Sequence, residues 1–182
     1  MIPNVGFGQD QKQEVEKKIQ AAEMPESALS LLKPYLKTAT RIKYYKETDI
    51  DHESYECKLK FEGLRFSIEF EPQGRLEDIE VLVSIENVAS EAHDKILEYL
   101  QQFRRFRVRR VQLQFKPDST TDARFIDEIV KARNLKSPNH EIVVDIKDES
   151  GWSTFEMLFD HSGVFLSQRM VIGRQTDNIL YR

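Results

Sequence analysis

Cysteine is almost absent from this chain of 182 residues, since Cys57 is the only one. No disulfide can therefore form within the chain. Long apolar runs are also missing, because no stretch approaches the roughly 18 consecutive apolar residues that a membrane-spanning helix needs. Positive charge is in deficit, with 27 Lys and Arg against 31 Asp and Glu. The composition therefore argues against a membrane span and gives no overall basic signal for nucleic acid.

Motifs for catalysis, metal binding and nucleotide binding are lacking as well. The chain has no G-x-G-x-x-G or G-K-[ST] loop, and its histidines do not occur at metal-ligand spacing. They are His52, His93, His140 and His161. Asp160, His161 and Ser162 contain the residue types of a catalytic triad, but consecutive residues of a tight turn cannot be aimed at one another. We therefore predict a protein that is not an enzyme, with no catalytic residue, no metal site and no cofactor.

The N-terminus carries no signal peptide as written, because "MIPNVGFGQD" has neither a basic region nor a long apolar region. Its small residues "GFG" are, however, typical of a junction left after a signal peptide is removed. From Gln9 to Glu23, Val15, Ile19 and Ala22 recur at helical spacing. We expect this segment to be helical and Cys57 to be a buried small hydrophobe.

Apolar residues alternate with polar ones in two adjoining segments, Tyr55–Phe61 and Leu64–Phe70, on either side of Glu62 and Gly63. Such period-2 patterning around a two-residue connection predicts a tight β-hairpin. A second region of alternation runs from His140 to Ile146 and resumes at Phe155. One apolar face and one polar face indicate an antiparallel sheet that is covered on a single side.

The stretch "FEPQG" at Phe70–Gly74 has a counterpart in "FDHSG" at Phe159–Gly163. Upstream, Met24–Leu36 aligns without gaps on Val88–Leu100, and both segments have helical apolar spacing. We therefore predict an N-terminal segment, 1–23, and two repeats, 24–87 and 88–182. The second repeat would carry an inserted helix at about 119–135. The predicted fold class is α+β, with two repeats of helix plus antiparallel strands joined into one sheet and the helices on one face.

The segments "EMPESALSLLKPYL" and "FEPQGRL" resemble the PepSY-like domains of bacterial envelope proteins. The tandem arrangement is similar to the beta-lactamase-inhibitory-protein-like fold, and the resemblance covers nearly all of Met24–Ile172. The second copy departs from the pattern by its inserted helix and by Ala89, which stands where the proline would be. The resemblance implies a secreted or periplasmic protein without enzymatic activity, whose sheet presents a concave open face suited to gripping another protein.

Five arginines lie within "FRRFRVRRV" at Phe103–Val111. Arginine forks pair with phosphates or with acidic protein surfaces, so the run could be a binding patch. It could equally be the end of a helix followed by a strand whose arginines are neutralised by acids such as Glu69 and Glu71. The alternation changes phase within the run, which predicts a β-bulge. In an acidic chain we favour the structural interpretation over nucleic acid, and an acidic protein partner stays plausible.

Acidic residues occupy every second position of "ETDIDHE", at Glu47, Asp49, Asp51 and Glu53. Hard oxygen ligands could hold calcium there, but the glycine and terminal glutamate of a calcium loop are missing. We therefore expect a solvated loop between strands, and the same for "KDES" at Lys147–Ser150.

The polar face of the second predicted copy contains an apolar cluster of Val143, Leu158 and nearby Trp152. Such a cluster marks a partner site or is covered by the C-terminal segment "TDNILYR", and the sequence does not decide between the two. Our leading prediction is a protein or peptide partner bound through the open face, with Trp152, Val143 and Leu158 in apolar contact and Arg107 and Arg109 supplying charge. The alternative is an envelope protein that binds a small ligand or calcium.

Overall fold

The computed structural model describes residues 11–12, 15–49, 52–117 and 120–171. Within these ranges the strands are β1 (Gln11–Lys12), β2 (Val15–Ile19), β3 (Thr40–Asp49), β4 (His52–Phe61), β5 (Leu64–Phe70), β6 (Leu76–Val83), β7 (Phe106–Phe115), β8 (Asn139–Lys147), β9 (Trp152–Phe159) and β10 (Phe165–Val171). The helices are α1 (Glu26–Leu36), α2 (Ser90–Leu100) and α3 (Asp122–Ile126), and a π-helical turn, Asp127–Lys131, continues α3. Short 3₁₀ turns at Ala21–Glu23 and Ile85–Asn87 precede α1 and α2.

The sheet is a single antiparallel meander in which β2 to β10 lie side by side in chain order. The two-residue strand β1 adds to β10 in parallel. The prediction of two helix-plus-strand repeats is therefore wrong as a description of the architecture. The reason lies at the predicted boundary, where β6 and β7 pair directly from Ile79 with Phe115 to Val83 with Val111. Because the ladder continues through that point, the strands form one continuous meander in chain order and not two separate helix-plus-strand units joined side by side.

The predicted N-terminal helix is also wrong for Val15–Ile19, although Ala21–Glu23 does form a 3₁₀ turn. Val15–Ile19 is a strand that pairs antiparallel with β3, from Val15 opposite Thr48 to Ile19 opposite Tyr44. Val15 and Ile19 fit a four-residue helical spacing and equally an every-second-residue strand spacing. Pairing with an exposed sheet edge provides backbone hydrogen bonds that override a weak local preference.

The hairpin predicted at Glu62 and Gly63 is confirmed, because Phe61 pairs with Leu64 across a two-residue turn. Both turn residues have positive φ, 44° at Glu62 and 91° at Gly63. Those are the dihedral angles of the turn whose twist matches the twist of the flanking strands.

The strand residues that form the two apolar core clusters face the helices. Helices α1 and α3 pack on β4, β5 and β6 through buried residues such as Leu32, Ile68 and Ile126. Helix α2 packs on β7 to β10, with Ile96 against Ile142 and its neighbours. The second face of the sheet is thereby left free of helices in the described part of the chain.

Two glycine turns fix how closely these helices approach the sheet. Gly74 and Gly163 both have positive φ, 76° and 85°. A Cβ at Gly163 would lie 2.5 Å from the carbonyl oxygen of Ala92 in α2, and one at Gly74 would lie 3.1 Å from the backbone nitrogen of Ala28 in α1. Only glycine fits these contacts, which explains why each turn ends in that residue.

The inserted stretch between β7 and β8 contains α3 and its π-helical continuation, Asp122 to Lys131. The buried Tyr35 of α1 donates a hydrogen bond to the carboxylate of Asp127 there. The backbone amide of Leu76 donates to Asp122 at 2.9 Å. The insertion thus closes the apolar face beside α1.

The sheet is strongly curled, so that its two ends approach each other. Strands β1 and β2 belong to opposite ends of the strand order, yet only two residues separate Lys12 from Val15. Three trans peptide units span at most about 11 Å. Arg169 of β10 also lies 3.9 Å from the carboxylate of Asp49 in β3. The face without helices is therefore the concave face.

Candidate functional site

The concave face encloses a polar cavity of about 290 Å³. Its walls come from β3 to β8 and β10. The side chains and neighbouring residues that line it are Glu47, Asp49, His52, Ser54, Glu56, Lys58, Glu69, Glu77, Asp78, Glu80, Arg110, Gln112, Gln114, Lys116, Glu141 and Arg169. Acids outnumber bases in this set, so the cavity favours a cationic guest by charge.

Alternation along the strands places these residues in the cavity. In β6, Ile79 and Val81 belong to the core, so Asp78 and Glu80 point to the concave side. The polar face was predicted to be open, but curvature buries it: Glu56 is 3% and Ser67 is 5% exposed. The concave face is therefore a partly dehydrated polar interior, in which charges interact strongly.

One end of the cavity is organised around Lys58. Its ammonium contacts the carboxylates of Glu16 and Glu56, the latter at 2.8 Å. Burial opposes the charge on Lys58, but these carboxylates outweigh it and raise the lysine pKa. Glu16, Glu47 and Glu56 also cluster closely enough to hold a metal ion. The ammonium of Lys58 already contacts two of these three carboxylates, so it supplies the positive charge that a metal ion would bring.

The middle of the cavity pairs carboxylates with glutamine amides. Gln112 donates to Glu80, and Gln114 donates to Asp78 at 3.0 Å. Within the described residues, neither carboxylate contacts a basic side chain. Asp78 Oδ1, Gln112 Oε1 and Gln114 Oε1 are buried and accept no hydrogen bond from that part of the chain. This patch is thus rich in acceptors and short of donors.

Dehydration and mutual repulsion disturb the titration of this patch. Burial, followed by the charge of Glu141, raises the pKa of Asp78 to about 7. Burial, followed by Glu141 and Asp78, raises the pKa of Glu80 well above its usual value. Near neutral pH the patch therefore holds protons that ordinary carboxylates would have lost.

Arg110 is the buried cation nearest to this patch. Its guanidinium lies 3.3 Å from Glu141. Burial opposes its charge, whereas Glu141 and then Glu80 raise its pKa. The predicted bulge is present in β7, where the register shifts between Val108 and Arg110. The bulge turns Arg110 toward the cavity while Val111 stays in the core.

Two arginines of the run are paired with acids, but with other acids than the sequence suggested. Arg109 lies 3.5 Å from Asp145 and Arg110 pairs with Glu141, both in β8. Glu71 instead pairs with Arg75 at 2.6 Å. The run therefore belongs to the sheet and its acidic partners.

Two of the five predicted partner-binding residues, Arg107 and Trp152, are in direct contact at the strand ends where β7 and β9 begin, which we call the rim. The guanidinium of Arg107 lies 5.6 Å from the ring centre of Trp152, which is 50% exposed. Arg109 pairs with Asp145. The carboxylate of Asp145 also accepts a hydrogen bond from Thr154 at 2.9 Å. The sheet thus presents an exposed aromatic ring stacked with an arginine.

Val143 and Leu158 lie on the same face as Trp152 but deeper. Val143 is 6% exposed and pairs across the ladder with Glu156 and Arg110, whereas Leu158 is half-buried and pairs with Glu141. The segment "TDNILYR", predicted as an alternative cover, lies outside the described residues. Sequence reasoning missed Asp78, Glu80, Gln112 and Gln114, although their every-second spacing was the available signal.

Among the remaining acidic candidates, Glu47 and Asp49 differ from expectation, whereas Lys147–Ser150 is exposed, as expected. Glu47 and Asp49 belong to β3, and Glu47 is buried at 9% exposure rather than solvated in a loop. Asp51 lies outside the described residues. Asp148 accepts from the backbone of Ser150 at 2.8 Å and of Gly151 at 3.1 Å, which makes a turn. Cys57 is fully buried, and burial raises its thiol pKa.

Solved structures show that this architecture is known. A BLIP-like protein from Bacteroides fragilis is similar at a TM-score of 0.53 and 17% identity, over 84% of this chain and 91% of that one. A DUF2874 family protein from Bacteroides ovatus gives 0.54 and 13%, over 81% and 87%. A protein from Bacteroides eggerthii, described as a proposed periplasmic protein, gives 0.54 and 15%, over 81% and 88%. These likenesses show a BLIP-like fold.

Neither a comparison with protein-family models nor one with curated proteins finds a match. None of the helices in the described ranges is long and apolar enough to cross a membrane.

Proposed function

We propose that this chain is a binding protein without enzymatic activity, located in the periplasm or secreted, that grips a protein or peptide partner on the concave face of its sheet. The observation that carries the proposal is the exposed Trp152 ring in contact with Arg107 on the concave face of the sheet. Tryptophan and arginine are the residue types that most often dominate binding energy at protein interfaces.

The fold supports the same interpretation by analogy. A curled sheet backed by helices offers one rigid concave surface, and rigid surfaces bind with little loss of conformational entropy. The similar structures include one described as BLIP-like and one as a proposed periplasmic protein. A relationship to PepSY-like domains and a role in inhibiting an enzyme are the more specific parts of this proposal.

The rim residues have distinct roles in this proposal. Trp152 supplies the apolar anchor, and Leu158 extends the apolar strip inward. Arg107 orients the ring, and Arg109, already paired with Asp145, contributes to the charge of the rim. Val143 contributes by supporting Leu158 and the neighbouring ladder, because its own side chain is buried.

Affinity capture from the envelope fraction of the source organism tests the proposal. Wild type is compared with Trp152→Ala, Arg107→Ala and the control Leu166→Ala, whose side chain is exposed to a similar degree, 51% against 50%, on β10. We expect one specific protein to be retained by wild type and the control and lost with both rim variants. Equal capture by all four proteins would refute the rim as the binding surface.

The alternative function, binding of a small ligand or calcium, draws support from the acidic excess in the cavity. A ligand that binds only the folded state raises the melting temperature. A rise in melting temperature on adding calcium chloride, with no Trp152-dependent partner, would favour this alternative.

A further inference from the structure

The polar cavity has properties that specify the chemistry of a guest. It contains buried acceptor oxygens without donors, on Asp78, Gln112 and Gln114. Asp78 is 5% and Gln112 is 7% exposed, and both line the cavity. A buried acceptor that is left unsatisfied costs about 1 to 3 kcal/mol, so a donor that enters is stabilised.

Three of the cations that line the cavity contact other acids, whereas the exposed Lys116 partly offsets the rise in the pKa of Asp78. Lys58 contacts Glu16 and Glu56, Arg110 contacts Glu141, and Arg169 contacts Glu156 at 2.9 Å. Asp78 and Glu80 receive only amide donors from the described part of the chain. The described part of the chain therefore places no charged donor within hydrogen-bond distance of these two carboxylates, and Lys116 and Arg110 act on them only at longer range.

The size of the cavity distinguishes between classes of cation. About 290 Å³ is roughly ten times the volume that one water molecule occupies in the liquid. A calcium ion needs six to eight oxygens converging at about 2.3–2.6 Å, a far smaller space. An arginine side chain carries a delocalised charge and five N–H donors in a planar fork, which suits a mixed set of carboxylate and amide oxygens.

We infer that the cavity receives an arginine side chain of the partner polypeptide, with its guanidinium donating to Asp78, Gln112 and Gln114. This inference rests on the proposed function and names the partner chemistry. Trp152 and Arg107 at the rim contact the partner's surface, while the arginine enters the polar cavity at another part of the same concave face. Specificity follows because a guest without donors would leave the buried oxygens unsatisfied.

Acetyl-arginine amide is the probe, and its citrulline analogue, of similar shape but without charge, is the matched control ligand. Each is titrated into the full chain while the side-chain amide signals of Gln112 and Gln114 are followed by NMR. We expect the arginine compound to shift both signals saturably and the citrulline compound to bind at least about tenfold more weakly, as the loss of charged hydrogen bonds implies.

Asp78→Asn and Glu80→Gln test the acids, and Glu91→Gln, an exposed acid of α2, is the control variant. We expect Asp78→Asn and Glu80→Gln to weaken binding at least about tenfold and Glu91→Gln to leave it unchanged. Melting curves verify that each variant is folded, and the cavity variants relieve repulsion rather than create voids.

Three results overturn the inference: no saturable shift, equal binding of citrulline, or insensitivity to Asp78→Asn and Glu80→Gln. Saturation by calcium chloride that is lost with Asp78→Asn would instead assign the cavity to a metal ion. Trp152-dependent capture of a partner without arginine binding would overturn this inference alone. Arginine binding without Trp152-dependent capture would count against the rim and leave the cavity assignment standing.

Discussion

The two faces of this sheet are built from the same strands and are buried to similar degrees, yet they have opposite chemistry. On the convex face Ile68, Ile79 and Ile142 are completely buried against helices. On the concave face Glu56 and Glu80 are almost as inaccessible, at 3% and 7% exposure, although none of the described helices packs there. One face is dehydrated by packing and the other by curvature.

A strand that alternates apolar and polar residues can therefore have both faces buried, one by apolar packing and the other by curvature of the sheet. Packing of aliphatic side chains stabilises the convex face in proportion to the area removed from water. The concave face carries carboxylates whose dehydration costs free energy that ion pairs and amide donors only partly offset. This arrangement suits a binding protein, because a cationic ligand can offset the remaining unfavourable free energy of carboxylate dehydration.

The largest expected effect is on the convex face. Ile68→Ala removes a fully buried side chain between Cys57 and Ile79 and should lower the free energy of unfolding by about 2–5 kcal/mol. Urea unfolding followed by circular dichroism measures the loss. A loss below 1 kcal/mol would mean that the convex core is far more adaptable than its burial implies.

Lys58→Met tests whether an ion cluster on the concave face also stabilises the fold. It leaves Glu16 and Glu56 without their shared cation and should destabilise the protein by about 3 kcal/mol at neutral pH. Lys33→Met on the exposed side of α1 is the control and should stay within about 0.5 kcal/mol. If both variants behave alike under urea unfolding, the ion cluster contributes little to stability.

Asp78→Asn should instead raise the free energy of unfolding, because it removes a carboxylate whose pKa is raised to about 7. Between about pH 4 and pH 7 the folded state binds a proton that the unfolded state has lost, so stability falls as pH rises. We expect the variant to match wild type near pH 4 and to be more stable by roughly 1–3 kcal/mol at pH 8.

Urea unfolding of both proteins at several pH values measures that difference, in which titrating groups that do not interact with Asp78 cancel. These include His140, whose pKa burial lowers, and which therefore opposes the trend. A stability difference that is constant with pH would show that Asp78 is not the titrating group.

The smallest expected effect on stability is at the rim. Trp152→Ala removes a half-exposed ring and its contact with Arg107, and should change the free energy of unfolding by less than about 1 kcal/mol. Thermal unfolding measures it. A larger loss would indicate that the tryptophan is structural, and binding results with that variant would then need a second rim substitution.

Sequence patterning predicted the local elements better than their assembly. The hairpin at Glu62 and Gly63 and the bulge near Arg109 follow from alternation and turn residues, which are local signals. The two-repeat description failed because pairing of β6 with β7 depends on contacts between Ile79 and Phe115, which local patterns do not encode.

The same sequence patterns predicted only part of the candidate site. Trp152 and Arg107 stood out because their residue types are unusual on a polar face. Asp78 and Glu80 did not, because a polar residue at every second position is also what a solvated strand shows. Only the curl of the sheet, set by the joining of its two ends, turns those positions into a cavity.

The strand order has a consequence for how the chain folds. Each of β3 to β10 lies beside the strand that precedes it in the sequence, so most pairs close over short chain distances. Short sequence separations favour rapid pairing. The contact of β1 with β10 joins residues near the two ends of the described chain and is expected to form last. Repulsion among the cavity carboxylates therefore arises at that final closure, after the helices have packed, and slows the last step rather than the first.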